Sequence, residues 1–216
     1  MKSWTYNSGS YQSYIWRAPT GEVISTTAHV TFTMAGDYTL EVRETADGCP
    51  AIRSVEVIID QPPVIHDIKV DGHTVTVYAS GGEVPYQYSI DNGLTWSPGY
   101  IMYNVPGGLY DMLVKSKYGC ISDSKFFGVL GIPNFISPNG DGKNDEWYVR
   151  GLEAYPKARI KIFDRYGKMF VDRDLGTDFR WDGRYKGEPV ASGDYWYIIS
   201  FEDGNQLSGH ISVRNY

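Results

Sequence analysis

Apolar side chains recur at every second position through much of this chain, the spacing of a strand with one face in a core. In "IKVDGHTVTV", Ile68 and Val70 alternate on one side of Asp71-Gly72, and Val75 and Val77 on the other. Asp-Gly between two alternating runs favours a tight β-hairpin. The same reading predicts hairpins around Tyr166-Gly167 and Asp203-Gly204. In the last of these, Tyr195, Tyr197, Ile199 and Phe201 share one face, and Leu207, Ile211 and Val213 form the apolar face of the partner strand. No stretch sustains a period of 3.6, so the pattern predicts an all-β fold.

One plan repeats along the chain. "AGDYTLEV" at 35–42, "GGLYDMLV" at 107–114 and "SGDYWYII" at 192–199 each place Gly, then Tyr two positions on, then alternating apolar residues. A Tyr opening a late strand just after a turn is how immunoglobulin-like sandwiches build a tyrosine corner, its hydroxyl bonded back to the preceding connection. Tyr38, Tyr110 and Tyr195 are therefore expected to be structural. The Pro-bearing breaks "DQPPV" (60–64) and "LGIPN" (130–134) divide the chain into tandem small immunoglobulin-like antiparallel β-sandwich modules at 1–61, 62–130 and 131–216. Trp16 falls where such a sandwich carries its central-strand Trp, but few residues precede it. The first module is read as truncated at its N-terminus, and the chain as the C-terminal end of a longer protein.

Composition narrows the function. The net charge is −6, with 8 Lys+Arg against 13 Asp+Glu in residues 1–130 and 12 against 13 in 131–216. An acidic chain without a basic stripe lacks the electrostatic footprint for nucleic acid or anionic lipid. No apolar run approaches the roughly 18 residues of a membrane span. The two cysteines, Cys49 and Cys120, form no pattern that suggests a metal or disulfide framework.

Candidate chemistry is sparse. "SIDNGLTW" at 89–96 has the Asp-box form, a hairpin device in which Asp91 accepts turn amides, Gly93 is left-handed and Trp96 packs beneath. Glu146, Asp182 and Asp194 lie near aromatic residues as a conceivable glycosidase set, but no catalytic constellation is assembled, and no enzyme is expected. "SPNGDGKNDEW", Ser137 to Trp147, partly fits a calcium loop, with Asn139, Asp141 and Asp145 as ligands. Tyr148 stands where that loop needs a bidentate Glu, so any calcium site is weak. The other reading is a turn in which Asn139 and Asp141 bond neighbouring amides and Trp147 anchors the next strand.

"IPNFISPNGDGKNDEW", then "EAYPKARIKIFDRYGKMF" and "FRWDGRYKGEPVASGDYWYII", resemble the gliding-motility-associated C-terminal domain, the type B sorting domain of the type IX secretion system. The preceding modules are similar to immunoglobulin-like repeats of large SprB-type surface adhesins, on "GGEVPYQYSIDNG" and "YGC". The resemblance implies a folded export signal with no cofactor. Its readers would be the type IX translocon and a PorP/SprF-like outer-membrane barrel protein, routing the chain through the periplasm to the cell surface. As a fragment the chain is expected to be monomeric. Candidate contact residues are Asn139, Asp141, Asn144 and Asp145 in the loop, Arg165, Tyr166 and Gly167 at the hairpin tip, Trp181, Asp182 and Gly183 in "RWDG", and Arg214 and Tyr216 at the end. The last strand, "GHISVRNY", is expected to offer a free edge for strand addition. The alternative is glycan adhesion through Trp96, Tyr100 and Tyr103, and a glycoside hydrolase fragment ranks below it.

Overall fold

The computed structural model describes residues 2–5 (backbone alone), 10–174 and 178–215. Among these the regular structure is β-strand, apart from a short 3-10 turn at Leu152–Ala154. The chain packs as two units, Met1–Asp60 and Gln61–Tyr216.

The first unit contains β1 (Lys2–Thr5), β2 (Ser13–Arg17), β3 (Val23–Ser25), β4 (His29–Phe32), β5 (Gly36–Arg43) and β6 (Ala51–Val57). A four-stranded sheet in the order β3-β2-β5-β6 and a β1-β4 pair form its layers. Alternation sets the burial: Tyr38, Leu40 and Val42 of β5 are buried while their neighbours are not. Trp16 of β2 is buried in the same core, as expected of a central-strand Trp, packed edge-on to Phe32 with ring centroids 5.9 Å apart.

The second unit opens with β7 (Val64–Asp71), β8 (Thr74–Ser80), β9 (Gln87–Ser89), β10 (Ile101–Met102), β11 (Gly108–Lys115) and β12 (Lys125–Val129). The three-stranded sheets β10-β8-β7 and β12-β11-β9 enclose Val75, Val77, Met112 and Val114. The expected hairpin joins β7 to β8, with Gly72 at φ 57°.

The unit continues through β13 (Phe135–Ile136), β14 (Trp147–Tyr148), β15 (Arg159–Asp164), β16 (Met169–Asp174), β17 (Arg180–Trp181), β18 (Arg184–Tyr185), β19 (Glu188–Pro189), β20 (Gly193–Ser200) and β21 (Gln206–Val213). A five-stranded sheet, β13-β21-β20-β15-β16, is accompanied by the pairs β14-β17 and β18-β19. Its core centres on Ile136, Trp147, Ile160, Ile162, Ile199 and Ile211. The hairpins expected at Tyr166-Gly167 and Asp203-Gly204 are β15-β16 and β20-β21.

All three tyrosine corners are present. Tyr38 donates to the Met34 carbonyl at 3.0 Å, Tyr110 to Pro106 at 2.8 Å and Tyr195 to Ala191 at 2.9 Å, each four residues back. Burial of the Tyr110 and Tyr195 rings pushes both phenols above their ordinary value.

The two cores of the second unit meet across glycine. A Cβ on Gly128 would lie 2.4 Å from the Gly151 carbonyl oxygen, and one on Gly107 would lie 2.3 Å from Gly131 Cα. Such approach of backbone to backbone is open only to glycine. Tyr155 adds a bond from its hydroxyl to the Gly128 carbonyl at 3.0 Å.

Candidate recognition site

The acidic loop closes on itself. Asp145 Oδ1 accepts the N–H groups of Asn139 (3.0 Å) and Gly140 (2.8 Å), and Oδ2 accepts that of Gly142 (2.8 Å). These amides, Gly140 foremost, hold the Asp145 carboxyl below its ordinary range. Asn139 Oδ1 accepts the Asp141 amide at 3.0 Å, and Asp141 Oδ1 accepts the Lys143 amide at 2.7 Å. Gly140, Gly142 and Asn144 take positive φ, the last at 54°. The carboxylates proposed as metal ligands are thus engaged by the loop's own N–H groups. Among the described residues no group of three or more His, Cys, Asp or Glu converges to hold a metal ion. Trp147 anchors the loop: it is fully buried, and its Nε1 donates to the Pro133 carbonyl at 2.7 Å.

The hairpin tip uses the same device. Asp164 Oδ1 accepts the amides of Tyr166 (2.9 Å) and Lys168 (3.0 Å), and Gly167 is left-handed at φ 81°. The cap leaves the Tyr166 side chain 80% exposed, with the Arg165 guanidinium 5.0 Å from its ring centre. That pair is held out to solvent.

In "RWDG" the roles divide. Trp181 is buried, and its Nε1 donates to the Arg184 carbonyl at 3.1 Å. Gly183 sits against the acidic loop, where a Cβ would stand 3.0 Å from Pro138 Cγ. Trp181 and Gly183 therefore build the fold. The half-exposed Asp182 accepts the Arg184 amide at 3.0 Å. Arg214 is exposed, and its amide donates to the Ile136 carbonyl at 3.1 Å. Tyr216 lies outside the described residues.

The register gathers these segments. Asp164 pairs with Tyr195, Gly193 with Val213, and Ile136 runs parallel to Val213. The loop after β13, the β15-β16 tip, the start of β20 and the end of β21 therefore share one end of the sheet, the distal rim. The β14-β17 pair sets Trp147 opposite Trp181 and brings "RWDG" to the same place. A shallow depression of about 400 Å³ between Ser192–Asp194 and Ser212–Asn215 lies on this rim.

The last strand has only part of the free edge its sequence suggests. β13 pairs with Ser212 and Val213, and the Ser212 amide donates to the Asn134 carbonyl at 2.8 Å. A two-residue strand from the start of the domain has covered its terminal half.

Other candidates have structural employment. Glu146 pairs with Arg180 at 3.4 Å, and Asp194 accepts the Ser212 hydroxyl at 2.5 Å. The Asp-box follows its design, with one change. Asp91 Oδ1 accepts the Thr95 amide at 2.9 Å, and Gly93 is left-handed, but the Gly93 amide goes to Ser89 Oγ at 2.9 Å. Bonds from Thr95 lower the Asp91 carboxyl to about 2. Lys115 lies 4.1 Å over the half-buried Trp96 ring, while Tyr100 and Tyr103 are exposed. Cys49 and Cys120 are free. No helix among the described residues is long and apolar enough to cross a membrane.

The CHU_C type IX secretion signal domain model matches residues 130–213. No curated protein matches the chain. Among solved structures, the chain is similar to SGBP-B of the Bacteroides ovatus mixed-linkage glucan utilization locus in complex with a heptasaccharide. Identity is 15%, covering 99% of this chain and 63% of that one, with a TM-score of 0.27. It is also similar to dimeric latent PorU from Porphyromonas gingivalis (13% identity, 87% of this chain and 25% of that one, TM-score 0.27). A third likeness is to the FN1–FN3 domains of chicken CNTN1 (14% identity, 72% and 66%, TM-score 0.28). At these overlaps none of the three bears on function.

Proposed function

Residues 130–213 belong to the type IX secretion signal domain family, and from that premise we propose that the distal rim is the address the export machinery reads. A chain carrying this domain is a secreted protein with a sorting signal, exported to the cell surface or extracellular space. The finer reading is that the chain belongs to a large gliding-motility adhesin. Its readers are the type IX translocon and a PorP/SprF-like outer-membrane barrel. The domain works by being held and performs no chemistry. One observation carries this reading: topology brings the self-capped acidic loop, the projected Arg165–Tyr166 pair, Asp182 and Arg214 to one end of a rigid sheet. Exposed Arg and Tyr on a pre-ordered tip are the residue types that dominate binding energy at interfaces.

The test is a signal-peptide-bearing reporter fused to residues 61–216 in a cell with a working type IX system. Surface display is expected. Arg165→Ala with Tyr166→Ala should cut it at least about tenfold, the scale of losing an interface anchor, without moving the melting midpoint. A periplasmic wild-type reporter sinks the export reading, and full display of the double variant sinks the rim.

The second reading, glycan adhesion, is favoured by Tyr100 (54% exposed) and Tyr103 (69% exposed). A glycan array with no hits for the chain removes it.

A further inference from the structure

The part of β21 that β13 leaves uncovered faces a cleft. Strand geometry fixes which backbone groups point outward. The Ser212 and Arg214 amides reach Asn134 and Ile136, while Asn205 turns the other way and accepts the Phe201 amide at 2.9 Å. Alternation therefore aims the N–H and C=O of Gln206, Ser208 and His210 away from β20. Among the described residues these outward groups have no backbone partner. The exposed edge is about 14 Å long at the rise of a strand.

The sheet's other long edge, β16, is protected. It carries a register shift opposite Ile162/Phe163 and ends in Asp172, Arg173 and Asp174, two of them bound to Arg159 at 2.8 and 3.1 Å. Bulges and charges are the usual means of keeping other strands off an edge. Gln206–His210 has neither: its register against β20 is unbroken, and it contains no Lys, Arg, Asp, Glu or Pro. This edge is built to accept a strand.

Beside it, the chain upstream of β13 peels away and leaves a cleft of about 710 Å³. Leu130, Ile132, Tyr155 and Phe201 give it an apolar floor, with the last two rings edge-to-face at 5.2 Å. Leu207, on the core side of β21, opens into it. The far wall is the β7-β8 tip, where the His73 carbonyl accepts the Val105 amide at 2.9 Å. Asp71, Glu202 and Asp203 line it, and no Lys or Arg does. Glu202 is the one of these with a cation, Lys157 at 2.6 Å.

We propose that the Gln206–His210 edge and the adjoining cleft bind an extended segment of a partner protein, apolar at its centre and carrying Lys or Arg at its ends. Main-chain bonds to Ser208 and His210 add it as a strand. A residue set opposite Leu207 points into the apolar floor, and the basic ends meet the carboxylates. The site lies at the opposite end of the sheet from the distal rim, includes residues outside 130–213, and does not depend on the export reading.

The test titrates the full chain with an acetylated, amidated KTVTVTK peptide at low salt. The Ser208 and His210 amides should shift in NMR spectra and gain protection from solvent exchange. An ETVTVTE peptide should bind at least about fivefold weaker, since it sets like charges together. Asp71→Asn should weaken KTVTVTK, and Ser208→Pro, which removes an outward donor and leaves the native ladder intact, should abolish binding. Shifts elsewhere, no protection at Ser208 and His210, or equal affinity for both peptides overturns the proposal. Protection that appears without peptide, together with concentration-dependent dimers, assigns the edge to a second copy of the chain and also overturns it.

Discussion

A phenol bonded to the carbonyl four residues behind it is the smallest recurring unit of this protein. Tyr195 is only 5% exposed, so losing its hydroxyl removes a part-buried hydrogen bond to the Ala191 carbonyl. Tyr195→Phe should cost about 1 kcal/mol, read as a lower urea midpoint with unchanged slope. Asp145 does the corresponding work for the acidic loop. Its folded-state carboxyl is depressed, so its contribution is present above the unfolded value and lost as pH falls through the folded one. The Gly140 and Gly142 amides should therefore lose exchange protection on acidification, and an Asp145→Asn chain should not show that acid-dependent loss. The same carboxylates are the ones a calcium ion would have to share with the loop amides. Melting with and without a chelator should give the same midpoint, whereas an ion bound specifically to the folded loop would raise it.

Among the elements, the hairpins were legible because their signals are local. Asp71-Gly72, Tyr166-Gly167 and Asp203-Gly204 each sit between alternating runs, and the register follows from the turn. β13 was not legible. "FI" is too short to read as a strand, and its partner is at the far end of the domain, so the terminal strand looked free when it is half covered. The glycine junction escaped for a related reason. Gly107, Gly128, Gly131 and Gly151 stand in separate segments, and nothing in any one of them announces the others. Gly128→Ala should destabilise by at least about 1–3 kcal/mol, because the added carbon meets the Gly151 carbonyl, which cannot move aside. Gly193→Ala, with open space around it, should leave the melting midpoint within about 0.5 kcal/mol of wild type.

At the scale of the molecule, the second unit has two hydrophobic cores and one seam. A fragment of residues 61–216 should melt higher than one of residues 131–216, since the cut uncovers Tyr155 and the glycine contacts. Equal midpoints would mean the seam contributes nothing. The seam also sets a polarity, with the β7-β8 wall and its cleft at one end of the five-stranded sheet and the loop, tip and "RWDG" turn at the other.

Alternation, turn residues and the Gly-x-Tyr repeat are properties of neighbouring positions, governed by the strand period and by local hydrogen bonding. They were enough to determine an all-β chain, its hairpins and its tyrosine corners. Which edge stays open, which glycines touch, and which scattered loops share a rim depend on pairings between distant segments. Those pairings are chosen by burial of the whole core and by closure of long loops, so only the tertiary structure decided them.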